Sequence, residues 1–123
     1  MSGEAILIIE DNLLNLKMMD YLLTAKKYDV YRAMDAREAL SLLETVKPAL
    51  ILVDIQLPGM DGLELTRKLK ADPRYKHIPV IAITAYAMKT DKEKALAAGC
   101  NGYIAKPVDI KTLPDIIDKY IHS

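Results

Sequence analysis

Three features of this chain predict an α/β fold with a parallel sheet covered on both faces. Short β-branched runs alternate with longer stretches of helical period, and five such pairs follow one another. The first run, Ala5-Ile6-Leu7-Ile8-Ile9, is apolar without alternation, as in a strand buried on both sides. Five strands, each followed by a helix, place helices on both faces of the sheet and give a three-layer α/β/α sandwich. The pattern itself does not order the strands.

Each element has its own signal. After the first strand, helical text runs from Leu13 to Lys26, with Asn15, Met19, Leu22 and Leu23 assigned to the core side at 100° per residue. Asp29 to Ala33 reads as the second strand, and Asp35 to Val46 as a helix with Ala39, Leu42, Leu43 and Val46 on one side. Pro48 introduces an apolar strand from Ala49 to Val53. The stretch Pro58-Gly59-Met60-Asp61-Gly62 carries turn chemistry, and a helix follows from Leu63 to Lys70. Pro79 opens a strand from Val80 to Ile83, followed by a helix through Ala98 that Gly99 ends as a C′ glycine. Gly102 to Ala105 is the fifth strand. Thr112-Leu113-Pro114-Asp115 fits the start of a last helix with Leu113, Ile116, Ile117, Tyr120 and Ile121 in its stripe.

Composition narrows the function classes. The chain has 123 residues, 51% of them hydrophobic, which suits one domain spanning residues 1–123 with a core of its own. Seventeen basic side chains balance seventeen acidic ones, so neither a nucleic-acid surface nor an acidic tail is indicated. Cys100 is the only cysteine, which excludes an intramolecular disulfide and a cysteine-based zinc site; it reads as a small buried hydrophobe. No signal peptide and no membrane span are legible, so a cytoplasmic location is expected.

The chemistry is expected at the carboxyl ends of the strands, where open parallel sheets form their ligand crevice. The first strand ends in Glu10-Asp11, the third in Asp54, the fourth in Thr84, and the fifth in Lys106 just beyond Ile104-Ala105. Three clustered carboxylates repel one another and need cations. Lys106 supplies one charge, and an all-oxygen donor set without His or Cys suits Mg²⁺ rather than Zn²⁺. Such a site is built for phosphoryl transfer, with a carboxylate as nucleophile and a hydroxyl and an ammonium to hold the phosphoryl oxygens.

Four segments then carry a family resemblance: Ile8-Ile9-Glu10-Asp11-Asn12, Val53 through Gly62, Ile83-Thr84-Ala85, and Gly102-Tyr103-Ile104-Ala105-Lys106-Pro107. Together they resemble the bacterial response-regulator receiver family over essentially the whole chain. Thr84-Ala85-Tyr86-Ala87-Met88 is most similar to receivers of hybrid histidine kinases and to single-domain cell-cycle regulators. The resemblance implies a flavodoxin-like sheet of order 2-1-3-4-5. It makes Asp54 the acceptor of a phosphoryl group from a phosphohistidine. Asp11, Asp54 and the Gln56 backbone carbonyl would bind Mg²⁺, for which Mn²⁺ can substitute, with Glu10 acting through water. Lys106 would pair with Asp54 and then with the phosphoryl group, Thr84 would move toward that group, Tyr103 would swing inward, and Pro107 would follow a cis peptide bond.

The expected partners are a histidine kinase or histidine phosphotransfer domain and a downstream protein, with no nucleic acid or membrane. A monomer is expected, with dimerisation on phosphorylation open. Phosphorylation would shift an equilibrium between two conformations and alter the face formed by the fourth helix, fifth strand and fifth helix. With no output domain before Ser123, the output would be a protein contact or onward phosphotransfer. Such a chain catalyses its own phosphorylation and dephosphorylation without turning over external substrates.

Two other readings stand beside this one. An Asp-nucleophile phosphatase also uses Asp, Thr, Lys and Mg²⁺, but its acids lie one residue apart on the first strand, whereas Glu10 and Asp11 are adjacent. A receiver-like interaction module working without phosphorylation would lack one of the acids, Thr84 or Lys106. Two finer expectations concern the site's surroundings. Leu13 and Leu14 point away from the core beside the acids and form a docking surface for the phosphodonor, although scattered surface leucines are common. Tyr86 and Gln56 flank the route of attacking water, and Tyr86 slows hydrolysis unless it only covers helix surface. Met88, Leu96 and the alanines of the fourth helix read as packing, Lys89 to Lys94 as a solvated face with helical ion pairs, and His77 and His122 as surface histidines without partners.

Overall fold

The computed structural model describes residues 3–57, 59–85, 89–109 and 111–122. In chain order the elements are β1 (Ala5–Ile9), α1 (Leu13–Ala25), β2 (Asp29–Ala33), α2 (Ala36–Leu43), β3 (Leu50–Asp54), α3 (Gly62–Lys70), β4 (Val80–Thr84), α4 (Lys89–Ala98), β5 (Gly102–Ala105) and α5 (Leu113–Ile121). All strand pairs are parallel, and the sheet order is β2-β1-β3-β4-β5. This is the flavodoxin-like order, and the reversal between β1 and β3 opens the crevice at their carboxyl ends.

The period of two in a strand divides the core between the two faces. Ile6, Ile8, Leu50, Leu52, Ile81 and Ile83 pack against Leu16, Met19 and Leu23 of α1 and Leu113 and Ile117 of α5. Leu7, Ile9, Ile51, Val53, Val80 and Ala82 meet Ala36, Ala39 and Leu43 of α2, Leu65 and Leu69 of α3, and Ala95 of α4. The central strands are therefore apolar throughout, and their first polar residues fall at their carboxyl ends. None of the described helices is long and apolar enough to cross a membrane.

Several boundaries differ from the sequence reading. Asp35 lies outside α2 as its N-cap, its carboxylate accepting the Glu38 N–H at 2.8 Å, because a short acceptor is worth more there than in the first turn. β3 and β4 each extend one residue further, so that Asp54 and Thr84 are themselves strand residues. In α1 Met19 and Leu23 are fully buried as expected, and Leu16 joins them at the i, i+3, i+7 spacing of one face, while Asn15 is only half-buried at its margin. Leu96 is 49% exposed, since α4 turns only its small residues Ala95 and Ala98 inward. No ion pair joins Asp91, Lys92, Glu93 or Lys94 among the described residues, and His122 has two carboxylate neighbours, Glu4 and Asp118, each at 3.3 Å. Cys100 is buried, as expected.

The helix ends follow standard capping. Gly99, at φ +105°, closes α4 with Cys100 N–H donating to Ala95 and Gly99 N–H to Leu96, the Schellman pattern. Lys27 occupies the equivalent left-handed position after α1, at φ 73°.

Candidate phosphoryl-transfer site

The carboxyl ends of β1, β3, β4 and β5 bring the expected residues together. The register sets Ile9 beside Val53, Asp54 beside Ile83, and Thr84 beside Ala105. The Lys106 N–H donates to the Thr84 carbonyl at 2.7 Å, so the residue that follows β5 is anchored at the end of β4. From there the Lys106 ammonium donates to Asp54 Oδ2 at 2.8 Å and lies 3.2 Å from Glu10 Oε1. The Lys106–Pro107 peptide bond is cis.

Glu10, Asp54 and Thr84 are buried, with at most 2% of their surface exposed, while Asp11 is open to solvent. One oxygen of each acid can be chosen so that all three lie within 4.8 Å of one another. Backbone donors hold two of the groups: Gln56 N–H donates to Asp54 Oδ1 at 2.9 Å, and Asn12 N–H to Glu10 Oε2 at 3.2 Å. Asn12 also caps α1, its side-chain oxygen accepting the Asn15 N–H at 3.0 Å. One residue thus starts the helix and holds Glu10. Its role was not assigned from sequence, although Asn before an apolar helical run is a recognisable cap signal.

Gly62 was also missed. A β-carbon there would run into the Asp54 carbonyl oxygen and lie 2.8 Å from the Ile55 α-carbon. The Gly62 N–H donates to the Ile55 carbonyl at 2.8 Å, so the start of α3 presses directly on the chain that carries Asp54. In the sequence Gly62 reads only as part of a turn; its contact with β3 is tertiary.

The electrostatics show an excess of negative charge. The Glu10 carboxyl is pushed up to about 7, first by burial and then by the hydrogen bond and charge of Asp54, against the opposing Asn12 N–H and Lys106. Burial disfavours the Lys106 charge, but Asp54 and Glu10 outweigh it and raise its pKa. Glu10 Oε1 is buried and has the Lys106 ammonium as an ion-pair neighbour without an aligned hydrogen bond. Three carboxylates, one ammonium and an under-satisfied buried oxygen fit a hard divalent cation bound by oxygen.

The matched family model describes the response regulator receiver domain and covers residues 6–118. This chain belongs to the response-regulator receiver family. The polar-differentiation response regulator DivK of Brucella anthropi is 44% identical over 118 residues, spanning 96% of each chain. The receiver domain of sensor histidine kinase PA1611 from Pseudomonas aeruginosa, with magnesium coordinated in its active-site cleft, is 35% identical. It superposes with a TM-score of 0.90 over 99% of this chain and 100% of its own. The phosphorylated cyanobacterial phytochrome response regulator RcpA is 27% identical, with a TM-score of 0.84 over 99% and 96% of the two chains. Receiver domains belong to two-component signalling, and the phosphatase and phosphorylation-free readings are not favoured.

The other residues singled out in the sequence are placed as follows. Gln56 is exposed beside Asp54. Tyr103 is half-buried on β5 and packs against the α2–α3–α4 side of the core; burial and the charge of Asp91 raise its pKa. Leu13 and Leu14 begin α1 directly after the acid pair and Asn12, 49% and 78% exposed. Pro58, Tyr86 and Met88 lie outside the described residues.

Proposed function

We propose that Asp54 accepts a phosphoryl group from a phosphohistidine and that the aspartyl phosphate switches affinity for a protein partner. The observation that carries this reading is the Asp54 carboxylate, buried at a strand end and held between the Gln56 N–H and the Lys106 ammonium. A carboxylate oxygen attacks phosphorus, the new O–P bond forms as the P–N bond breaks, and the imidazole leaves with the electron pair. Lys106, already at Asp54, neutralises charge on the transferred group, and the Thr84 hydroxyl donates to one of its oxygens. Asp11, Asp54 and the Gln56 carbonyl would hold Mg²⁺, or Mn²⁺ in its place, with Glu10 acting through water; when bound, the ion screens charge between carboxylate and phosphoryl oxygens. Hydrolysis returns Asp54 and inorganic phosphate, so the protein processes its own phosphoryl group and no external substrate.

The phosphodonor in this reading is a histidine kinase or histidine phosphotransfer domain, docked on Leu13 and Leu14 beside the pocket. The protein works in the cytoplasm as a monomer whose α4–β5–α5 face meets the downstream partner, without nucleic acid or membrane. Residues 1–123 act as one domain. Incubation with acetyl phosphate and Mg²⁺ tests the chemistry. A single acid-stable, base-labile adduct is expected, absent from Asp54→Asn; an adduct that persists in Asp54→Asn would overturn the assignment. Turnover of a chromogenic phosphate ester would instead favour the phosphatase.

A further inference from the structure

The open edge of the sheet carries a different kind of site. β2 pairs with β1 on one side, and no strand pairs with its other side among the described residues. Asp29 N–H donates to the Glu4 carbonyl, and the Ala33 carbonyl accepts from Glu10 N–H. Backbone polar groups alternate along a parallel strand, so Asp29, Tyr31 and Ala33 face β1, and the N–H and C=O groups of Val30 and Arg32 face outward. Two clefts flank this edge on opposite faces of the sheet. One, of about 470 Å³, lies toward α2 and is lined by Arg32, Arg37, Glu38, Ser41 and Leu42. The other, of about 430 Å³, lies toward α1, where Lys17, Tyr21 and Arg32 line it beside Asp20.

Charge is unequally spent in these clefts. Glu38 accepts the Met34 N–H at 2.8 Å, and Asp20 accepts the Thr24 hydroxyl at 2.9 Å with Arg32 at 3.4 Å. Lys17 and Arg37, one in each cleft, have no hydrogen-bond or ion-pair partner among the described residues. Tyr21, 80% exposed, gives the α1 side an apolar wall.

We infer that the β2 edge binds an extended acidic peptide segment by strand addition. Its backbone pairs with Val30 and Arg32, and its alternating side chains enter the two clefts to meet Lys17 on one face and Arg37 on the other. Charged edge residues ordinarily discourage such pairing. Here each cleft sets two cations against one acid, Arg32 being shared by both, so positive charge prevails on both sides of the outward backbone groups, which rejects basic strands and admits acidic ones. The edge is two strands removed from Asp54, so an added segment leaves the acid pocket open.

The probe is acetyl-Glu-Glu-Val-Val-Glu-Glu-amide, whose acids fall on both faces of an extended strand, titrated into isotopically labelled protein and followed by backbone amide NMR. Saturable shifts are expected at Val30 and Arg32, weakening with salt and absent with the analogue carrying Lys for Glu or with the same peptide N-methylated at alternate residues. Val30→Pro removes one outward N–H without touching the β1 ladder and should abolish binding. Arg37→Glu should weaken it roughly tenfold. Both variants are checked for unchanged melting and unchanged response to beryllofluoride with Mg²⁺. Equal shifts with the Lys analogue, undiminished binding by a folded Val30→Pro protein, or no saturable shift would each overturn the proposal. So would edge shifts that depend on protein concentration without peptide, which identify a second copy as the occupant.

Discussion

Single residues here carry opposing demands. Glu10 is buried among acids that lie within 4.8 Å of one another and meets one ammonium, so its charge strains the metal-free fold. Replacing it with Gln keeps the shape and removes that charge. Glu10→Gln should therefore stabilise the metal-free protein by about 1–3 kcal/mol while weakening Mg²⁺ binding. Melting curves with and without the ion read both effects, and a loss of stability without metal would contradict the charge argument. Gly62 makes the opposite point, because its constraint is space. Gly62→Ala sets a methyl against the β3 backbone and should cost about 1–3 kcal/mol, with weaker beryllofluoride binding because Asp54 moves. A variant that melts and binds as the parent would show that the contact relaxes freely.

Among the elements, α1 joins the site to the surface. Its buried stripe of Leu16, Met19 and Leu23 fixes the rotation that leaves Leu13 and Leu14 outward next to the acids. Changing both leucines to Ser should slow transfer from a histidine phosphotransfer partner and spare labelling by acetyl phosphate. Equal slowing with both donors would remove the docking role. The same helix shows where sequence reading reaches its limit. The periodicity revealed a helix and its two outward leucines, but Asn15 was assigned to the core in place of Leu16, because the two lie four and three residues before Met19 and helical spacing admits either. In α4 the apolar Leu96 suggested packing, yet only Ala95 and Ala98 fit inward. Strand ends were legible to within one residue, and that residue was the functional one in β3 and β4. Glu10, Asp11, Asp54, Thr84 and Lys106 were readable because topology alone brings strand ends to one edge. Asn12, Gly62 and the charge balance of the β2 clefts depend on through-space neighbours that no spacing encodes.

Across the whole molecule, the sheet is shared by two cores. Leu52 faces α1 and α5, while Ile51 faces the side covered by α2, α3 and α4. Neither core can be lost without exposing the same strands, so the protein should unfold as one unit. Leu52→Ala and Ile51→Ala should each cost about 2–5 kcal/mol and shift a single transition seen alike by circular dichroism and tyrosine fluorescence. Two separated transitions in either variant would show that the layers are independent. In the proposed switch, a cooperative sheet would carry a change at Asp54 to β5, since β3, β4 and β5 are consecutive in the sheet.

Chemical trapping locates the phosphoryl group most directly. Borohydride reduction of protein labelled with acetyl phosphate and Mg²⁺ converts an aspartyl phosphate to homoserine, and tandem mass spectrometry of the digest reads its position. Homoserine at position 54 alone is the expected result. Homoserine at position 11, or a phosphoryl group retained on a serine, threonine or histidine, would contradict the assignment of Asp54 as the acceptor.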